Sequence, residues 1–166
     1  MSIFIRAITY AALFIGIFLI YVPARLLTWV GIARPAEIGV SQVIGIIVGT
    51  VGAMIALWCI YTFVWVGQGT PAPFEPPRRL VIRGPYRFVR NPMYIGAGLA
   101  LAGASLFYKS LFLLGYAGVF LLICHLFVIS YEEPTLRRTF GSDYELYCRK
   151  ANRWRPVIRH SGFEDQ

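Results

Sequence analysis

Four long apolar runs, separated by short charged or proline-rich stretches, constrain this chain more than any other feature. They occupy about residues 3–22, 40–66, 92–107 and 111–130. A helix crosses the roughly 30 Å hydrocarbon core of a bilayer with about 20 apolar residues, at 1.5 Å each. The first, second and fourth runs meet that length. The third is shorter and is expected to span with Lys109 snorkelling to the interface from a tight hairpin tip. A further half-span in residues 26–32 would raise the count to five. A soluble domain is about a quarter charged, whereas only 14% of these 166 residues are charged and 57% are hydrophobic. The expected fold class is an all-α integral membrane protein. It has four transmembrane helices, or five, and a C-terminal amphipathic cytoplasmic helix, in one domain over residues 1–166.

The first run reads as a retained helix and not a cleaved leader. It is long and aromatic, and Pro23-Ala24-Arg25 follows it in place of a small-x-small cleavage pattern. The net charge of +8 first points to nucleic acid, but its placement points elsewhere. With four spans and a cytoplasmic N-terminus, thirteen of the 16 Lys and Arg fall on the cytoplasmic side, leaving out Arg25, Arg34 and Lys109. The expected arrangement is multi-pass with both termini cytoplasmic, in contact with membrane and not nucleic acid.

Gly45, Gly49 and Ala53, and Gly96 and Ala100, repeat at small-xxx-small spacing, which lets helix backbones approach closely. Cys59, Cys124 and Cys148 form no C-x-x-C pair and read as small hydrophobes; no metal-ligand spacing is present. Prolines 71, 73, 76 and 77 stiffen residues 69–79 toward an extended form. Arg83-Gly84-Pro85 reads as a turn opening a short helix, and Asn91-Pro92 as N-cap and first position of the third span. Pro134 is expected to end or kink the fourth span near Glu133. Leu136, Phe140, Tyr144 and Tyr147 then form one apolar stripe, interrupted at Gly141, that suits a basic helix lying on the membrane surface.

Two polar clusters stand at the cytoplasmic ends of the third and fourth spans, and the short hairpin between those spans brings them together. The first runs from Arg83-Gly84-Pro85-Tyr86-Arg87 to Arg90-Asn91-Pro92-Met93-Tyr94, and the second from Tyr131-Glu132-Glu133-Pro134 to Phe140-Gly141 and Tyr144. A helix N-terminus with Arg87 and Arg90 beside it can hold a carboxylate. Glu132 and Glu133 can accept from ribose hydroxyls or an ammonium and offset a cationic centre. A ligand with a carboxylate, an ammonium, a ribose and a sulfonium fits, and S-adenosylmethionine is one. The plainer alternative pairs Glu132 and Glu133 with Arg137 and Arg138 on the surface.

These two clusters, in this order around a hairpin, resemble the isoprenylcysteine carboxyl methyltransferase and phospholipid methyltransferase superfamily, over about residues 67–156. The resemblance implies a small membrane methyltransferase. Residues 67–156 would form its cofactor-binding half, with S-adenosylmethionine as cofactor and S-adenosylhomocysteine as product. The superfamily's Arg-His-Pro-x-Tyr motif falls on Arg90, Asn91, Pro92, Met93 and Tyr94, its paired glutamates on Glu132 and Glu133, and its Phe-Gly-x-x-Tyr on Phe140, Gly141 and Tyr144. A later basic and proline element falls on Arg153, Trp154, Arg155 and Pro156. Asn91 stands where many members have His, and Asn cannot titrate. Gly67-Gln68-Gly69 is similar to a short glycine motif of lipid N-methyltransferases, and equally to a helix-ending turn.

The resemblance thus assigns cofactor binding to Gly84, Pro85, Tyr86, Arg87, Arg90, Asn91, Pro92, Tyr94, Glu132 and Glu133. Catalytic work falls to Glu133 and to His125, which lies seven residues before Glu132 and about 10 Å deeper. A polar group at that depth is a functional candidate; here it is a substrate contact or general base, or an interhelical hydrogen-bond partner. His160 reads as a solvated tail residue. The implied acceptor is lipid or lipid-like and reaches the site from the bilayer: an isoprenylcysteine carboxylate, a phospholipid amine, or a small hydrophobic thiol or acid. Two alternatives stay open: an NADPH-dependent sterol-type reductase, and a non-catalytic membrane protein of the same fold.

Overall fold

The computed structural model describes residues 3–67 and 79–157. Their architecture is all-α, and among them no strand forms beyond one isolated bridge, Val89 to Asn152. The first helix comprises α1 (Ile3–Phe14), a π-helical stretch Ile15–Tyr21, and α2 (Val22–Val30). Next come α3 (Val40–Gly67), a 3-10 turn Gly84–Arg87, α4 (Pro92–Tyr108) and α5 (Leu111–Phe127). A second π-helical stretch, Val128–Glu132, leads into α6 (Glu133–Lys150). Three helices are long and apolar enough to cross a membrane: Ile8–Val30, Val40–Gly67 and Leu111–Lys150. Pro92–Tyr108 is apolar but shorter. This is a membrane protein.

Residues 26–32 do not make the separate half-span offered as an alternative, because the first helix runs on through Pro23. Nor does Pro134 end the fourth helix. Proline removes an i→i−4 hydrogen bond and pushes on the carbonyl four residues back. In both places the helix widens just before the ring. Val22 N–H reaches Ile17 and Glu133 N–H reaches Val128, each five residues back. The Phe18 carbonyl, whose partner at that spacing would be Pro23, accepts instead from the Tyr116 hydroxyl at 2.8 Å. That bond ties the first helix to α5 and gives a carbonyl facing the apolar phase a partner.

Gly45, Gly49 and Gly52 of α3 form a seam with Gly96, Ala100 and Gly103 of α4, while Ala53 is exposed and takes no part. An added Cβ on Gly45 would lie 2.6 Å from the Gly103 carbonyl, and one on Gly52 would lie 2.5 Å from the Gly96 carbonyl. Backbone therefore packs on backbone, which only glycine permits here. At the far end Ser41 and Gln42 donate to the carbonyls of Leu106 and Phe107. Lys109 adopts a left-handed conformation at φ 49° and Ser110 caps α5, so the hairpin tip is as tight as expected. Ala97, Leu101, Ala117, Phe120 and Cys124 form the core between α4 and α5, with Phe14 and Leu19 of the first helix packed on it.

The stripe on α6 turns inward. Tyr144 and Tyr147 are buried with Ala151 against Leu80 and Ile82, and the Tyr147 hydroxyl donates to the Tyr86 carbonyl at 2.7 Å. Protein, and not the membrane surface, covers that face. Gly141 does break the helix, at φ 50° and ψ −121°.

Candidate functional site

The site is assembled from four pieces: the loop before α4, the start of α4, the α5–α6 junction, and residues 151–157. The loop is fixed first. Gly84 takes a left-handed φ of 60° where a Cβ would lie 2.9 Å from Thr62 Oγ1, so only glycine lets the turn lie against α3. Pro85 and Tyr86 are buried, and Tyr86 packs with Cys59 and Val81. Arg87 is exposed. The C-terminal segment then pairs with the loop: Arg90 N–H donates to the Asn152 carbonyl and Val157 N–H to the Phe88 carbonyl, both at 2.9 Å.

Asn91 is the residue before α4, but its side chain caps nothing. Buried, it donates instead to the Arg153 carbonyl at 3.3 Å. The N-cap expected of it is therefore replaced by a tie to the C-terminal segment. Pro92 occupies the first turn of α4, as expected.

The two glutamates have different surroundings. Glu133 is buried, and Arg153 grips both of its oxygens, at 2.7 and 2.9 Å. Arg90 adds a third contact to Glu133 at 3.3 Å. Such a two-pronged guanidinium–carboxylate pair fixes position as well as charge. Glu133 is thus a buried partner of Arg90 and Arg153, and Arg137, read as its surface partner, pairs with Glu145. Arg90 also donates to Cys148 Sγ at 2.6 Å and lies 3.5 Å from the Tyr144 hydroxyl. Its Nε is buried with no hydrogen-bond partner. Glu132, by contrast, receives one bond, from the Tyr94 hydroxyl at 3.2 Å. Among the described residues no cation pairs with it.

Tyr94 has a second surface. Its ring lines a half-open cleft of about 650 Å³ between the first helix, α3, α4 and α5. The lining is almost wholly apolar and includes Phe14, Phe18, Ala97, Phe120 and Cys124. One tyrosine thus has its ring on an apolar chamber and its hydroxyl on a half-buried carboxylate.

Residues 40–143 match the sequence profile of the phospholipid methyltransferase family. The chain belongs to that family. No curated protein sequence matches it, and no solved structure does. The phospholipid methyltransferase match spans α3, α4, α5 and the first turns of α6, so it covers Arg90, Tyr94, Glu132 and Glu133 but not residues 151–157. In this family member those last residues nevertheless complete the site.

His125 is the clearest case. Its Nδ1 accepts from the Trp154 indole N–H at 2.9 Å, which is the hydrogen-bond alternative read for it, although the partner comes from the C-terminal segment and not from a neighbouring span. In a neutral ring the proton then sits on Nε2, which can donate but not accept. Seven-residue spacing placed His125 and Glu132 on one face. The π-helical stretch between them rephases the helix, and each has its own partner. Arg153 and Trp154 were legible only as a basic, proline-ended element; Cys148, beside Arg90, was legible only as a small hydrophobe. Gln68, Gly69, prolines 71–77 and His160 lie outside the described residues.

Proposed function

We propose that this protein transfers a methyl group from S-adenosylmethionine to an amphipathic, lipid or lipid-like acceptor at the cytoplasmic membrane face. Family membership supports methyl transfer, and the helices support a membrane setting. The observation that carries the reading is Tyr94, which joins an apolar chamber to a carboxylate beside a helix N-terminus.

The residues present fit such a cofactor. Arg90 has a buried Nε without a partner, and the start of α4 offers free backbone N–H groups. Together they suit the amino-acid carboxylate. Glu132 suits a cationic centre. In this reading residues 67–156 are the cofactor-binding half, with Gly84, Pro85 and Tyr86 shaping the loop and Arg87, Asn91 and Pro92 flanking the helix start. When bound, the cofactor supplies an electrophilic methyl on sulfur. The chain's own work is to hold the acceptor in line, keep water out, and match charge. Glu133 anchors the C-terminal segment through Arg153, and Glu132 is the carboxylate left to face the reacting groups. His125 is a positioning residue with a donating Nε2. Both termini are assigned to the cytoplasm by the distribution of Lys and Arg.

The test is a paired titration of purified protein. S-adenosylhomocysteine at about 100 times its dissociation constant is expected to stabilise by about 2.7 kcal/mol, with no shift from NADPH. A shift with NADPH and none with S-adenosylhomocysteine rejects the methyltransferase in favour of the reductase.

A further inference from the structure

We propose that residues 152–157 are a latch, hinged at Ala151, that swings away to admit the cofactor to Arg90 and closes over it. This rests on the methyltransferase reading and names the way into that same site.

Two independent observations carry it. The first is what lies sealed. Arg90 Nε, the donor left to take a carboxylate, is buried without a hydrogen-bond partner. Asn91 and Glu133 beside it are buried as well. No soluble ligand reaches that nitrogen until something covering it moves. All three residues are tied to the same short segment. Arg90 N–H donates to the Asn152 carbonyl at 2.9 Å, Asn91 donates to the Arg153 carbonyl at 3.3 Å, and the Arg153 side chain grips Glu133. Other movers are fixed: α3 and α4 pack backbone on backbone, and Gly84 lays the loop before α4 against Thr62.

The second is how the segment is held. Ala151, at its root, is 1% exposed and packs with Tyr144 and Tyr147. Its backbone is already extended, at φ −125° and ψ 133°. Past Ala151 every residue to Val157 is exposed or half-buried. The grip there is polar: the ties above, with Val157 N–H on the Phe88 carbonyl and Trp154 on His125, both at 2.9 Å. Few buried apolar contacts and hydrogen bonds close to solvent mark the segments that open first. Opening does not strand Glu133, because Arg90 stays on it at 3.3 Å when Arg153 leaves.

The experiment uses full-length protein in phosphatidylcholine nanodiscs. Amide hydrogen exchange is read at three N–H groups whose backbone bonds are all 2.9 Å long: Arg90 and Val157 across the latch, and Ala151, bonded to Tyr147, at the hinge. Without ligand, Arg90 and Val157 are expected to exchange together, about tenfold or more faster than Ala151. Saturating S-adenosylhomocysteine is expected to slow both to the hinge rate. Its binding rates are then compared in two variants. Trp154→Phe drops one tie, and Arg153→Lys keeps the charge but loses the fork. Each is expected to speed both association and dissociation by about twofold to twelvefold. A purely structural role would speed dissociation and leave association alone. Arg90 and Val157 exchanging as slowly as Ala151 overturns the latch, and S-adenosylhomocysteine binding then leaves the methyltransferase reading standing. An unchanged association rate in both variants also overturns it. If the two amides exchange fast but S-adenosylhomocysteine does not bind, the methyltransferase reading falls and takes the entry role of the segment with it.

Discussion

Trp154 donates its indole N–H to His125 Nδ1 at 2.9 Å, with the two rings 5.7 Å apart. The bond ties the C-terminal segment to the last turn of α5 and occupies the nitrogen that a general base would need free. Trp154→Phe is expected to cost about 0.5–1.5 kcal/mol of stability. In a double-mutant cycle with His125→Ala the two losses will overlap, with a coupling of about 0.5–3 kcal/mol. Turnover in His125→Ala is expected to fall by less than the roughly 100-fold at the lower limit for losing a general base. A larger fall with intact S-adenosylhomocysteine affinity restores His125 as a base.

The Glu133 clamp makes a second prediction. Arg153→Ala removes both prongs from a buried carboxylate and is expected to destabilise by about 1.5–3 kcal/mol. The lower end is favoured because about a third of the Arg153 side chain is exposed (32%). Glu133→Gln is expected to cost a similar amount, and the pair together less than the sum. Melting in detergent measures all three; strict additivity would show that Arg153 and Glu133 do not act as a unit.

Third, the glycine seam separates structural from incidental glycines. A Cβ on Gly103 would run into the Gly49 backbone, whereas one on Gly115 meets nothing within 4 Å. Gly103→Ala is expected to destabilise by about 1–3 kcal/mol or more through overpacking. Gly115→Ala is expected to be neutral or mildly stabilising. Equal melting temperatures for the two variants would show that the α3–α4 packing is wrong.

Fourth, topology remains to be measured. Reporter fusions at Met1 and at Gln166 are expected to read cytoplasmic at both ends, because three long apolar helices and a crossing α4 would return the chain to its starting side. Opposite sides would mean that α4, shorter than the rest, does not cross.

Much of the fold was legible because apolar length is a strong signal: the helices at 40–67, 92–108 and 111–127 fall within a few residues of their runs. The proline sites were half legible: a distortion near Glu133 was expected and is found as the π-helical stretch Val128–Glu132, but the helix does not end there. Pattern reading assigns proline a break, but tertiary packing supplied the Tyr116 hydroxyl that lets the first helix continue past Pro23. The candidate site was half legible. Arg90, Tyr94, Glu132 and Glu133 do come together, but nothing in the spacing separates the clamped glutamate from the other. That difference comes from Arg153, twenty residues away in sequence and carried back by the pairing of Asn152 with Val89. Asn91 was misread for the same reason: its donor is spent on the Arg153 carbonyl, a long-range partner that local capping rules do not see.

The widened turn at Val128–Glu132 also sets a limit on how this chain can vary in length. Deleting one residue there would restore ordinary α pitch and rotate everything downstream by about 100°. The apolar contacts of α5 would survive untouched. Glu132 would swing off Tyr94 and Glu133 off Arg90. The bundle and the Tyr94–Glu132 and Arg90–Glu133 contacts are therefore keyed to each other at a single turn, and Pro134, which α pitch cannot house without strain, makes that deletion resist itself. Insertions and deletions tolerated in the loops will be selected against within these five residues, even where hydrophobicity is kept.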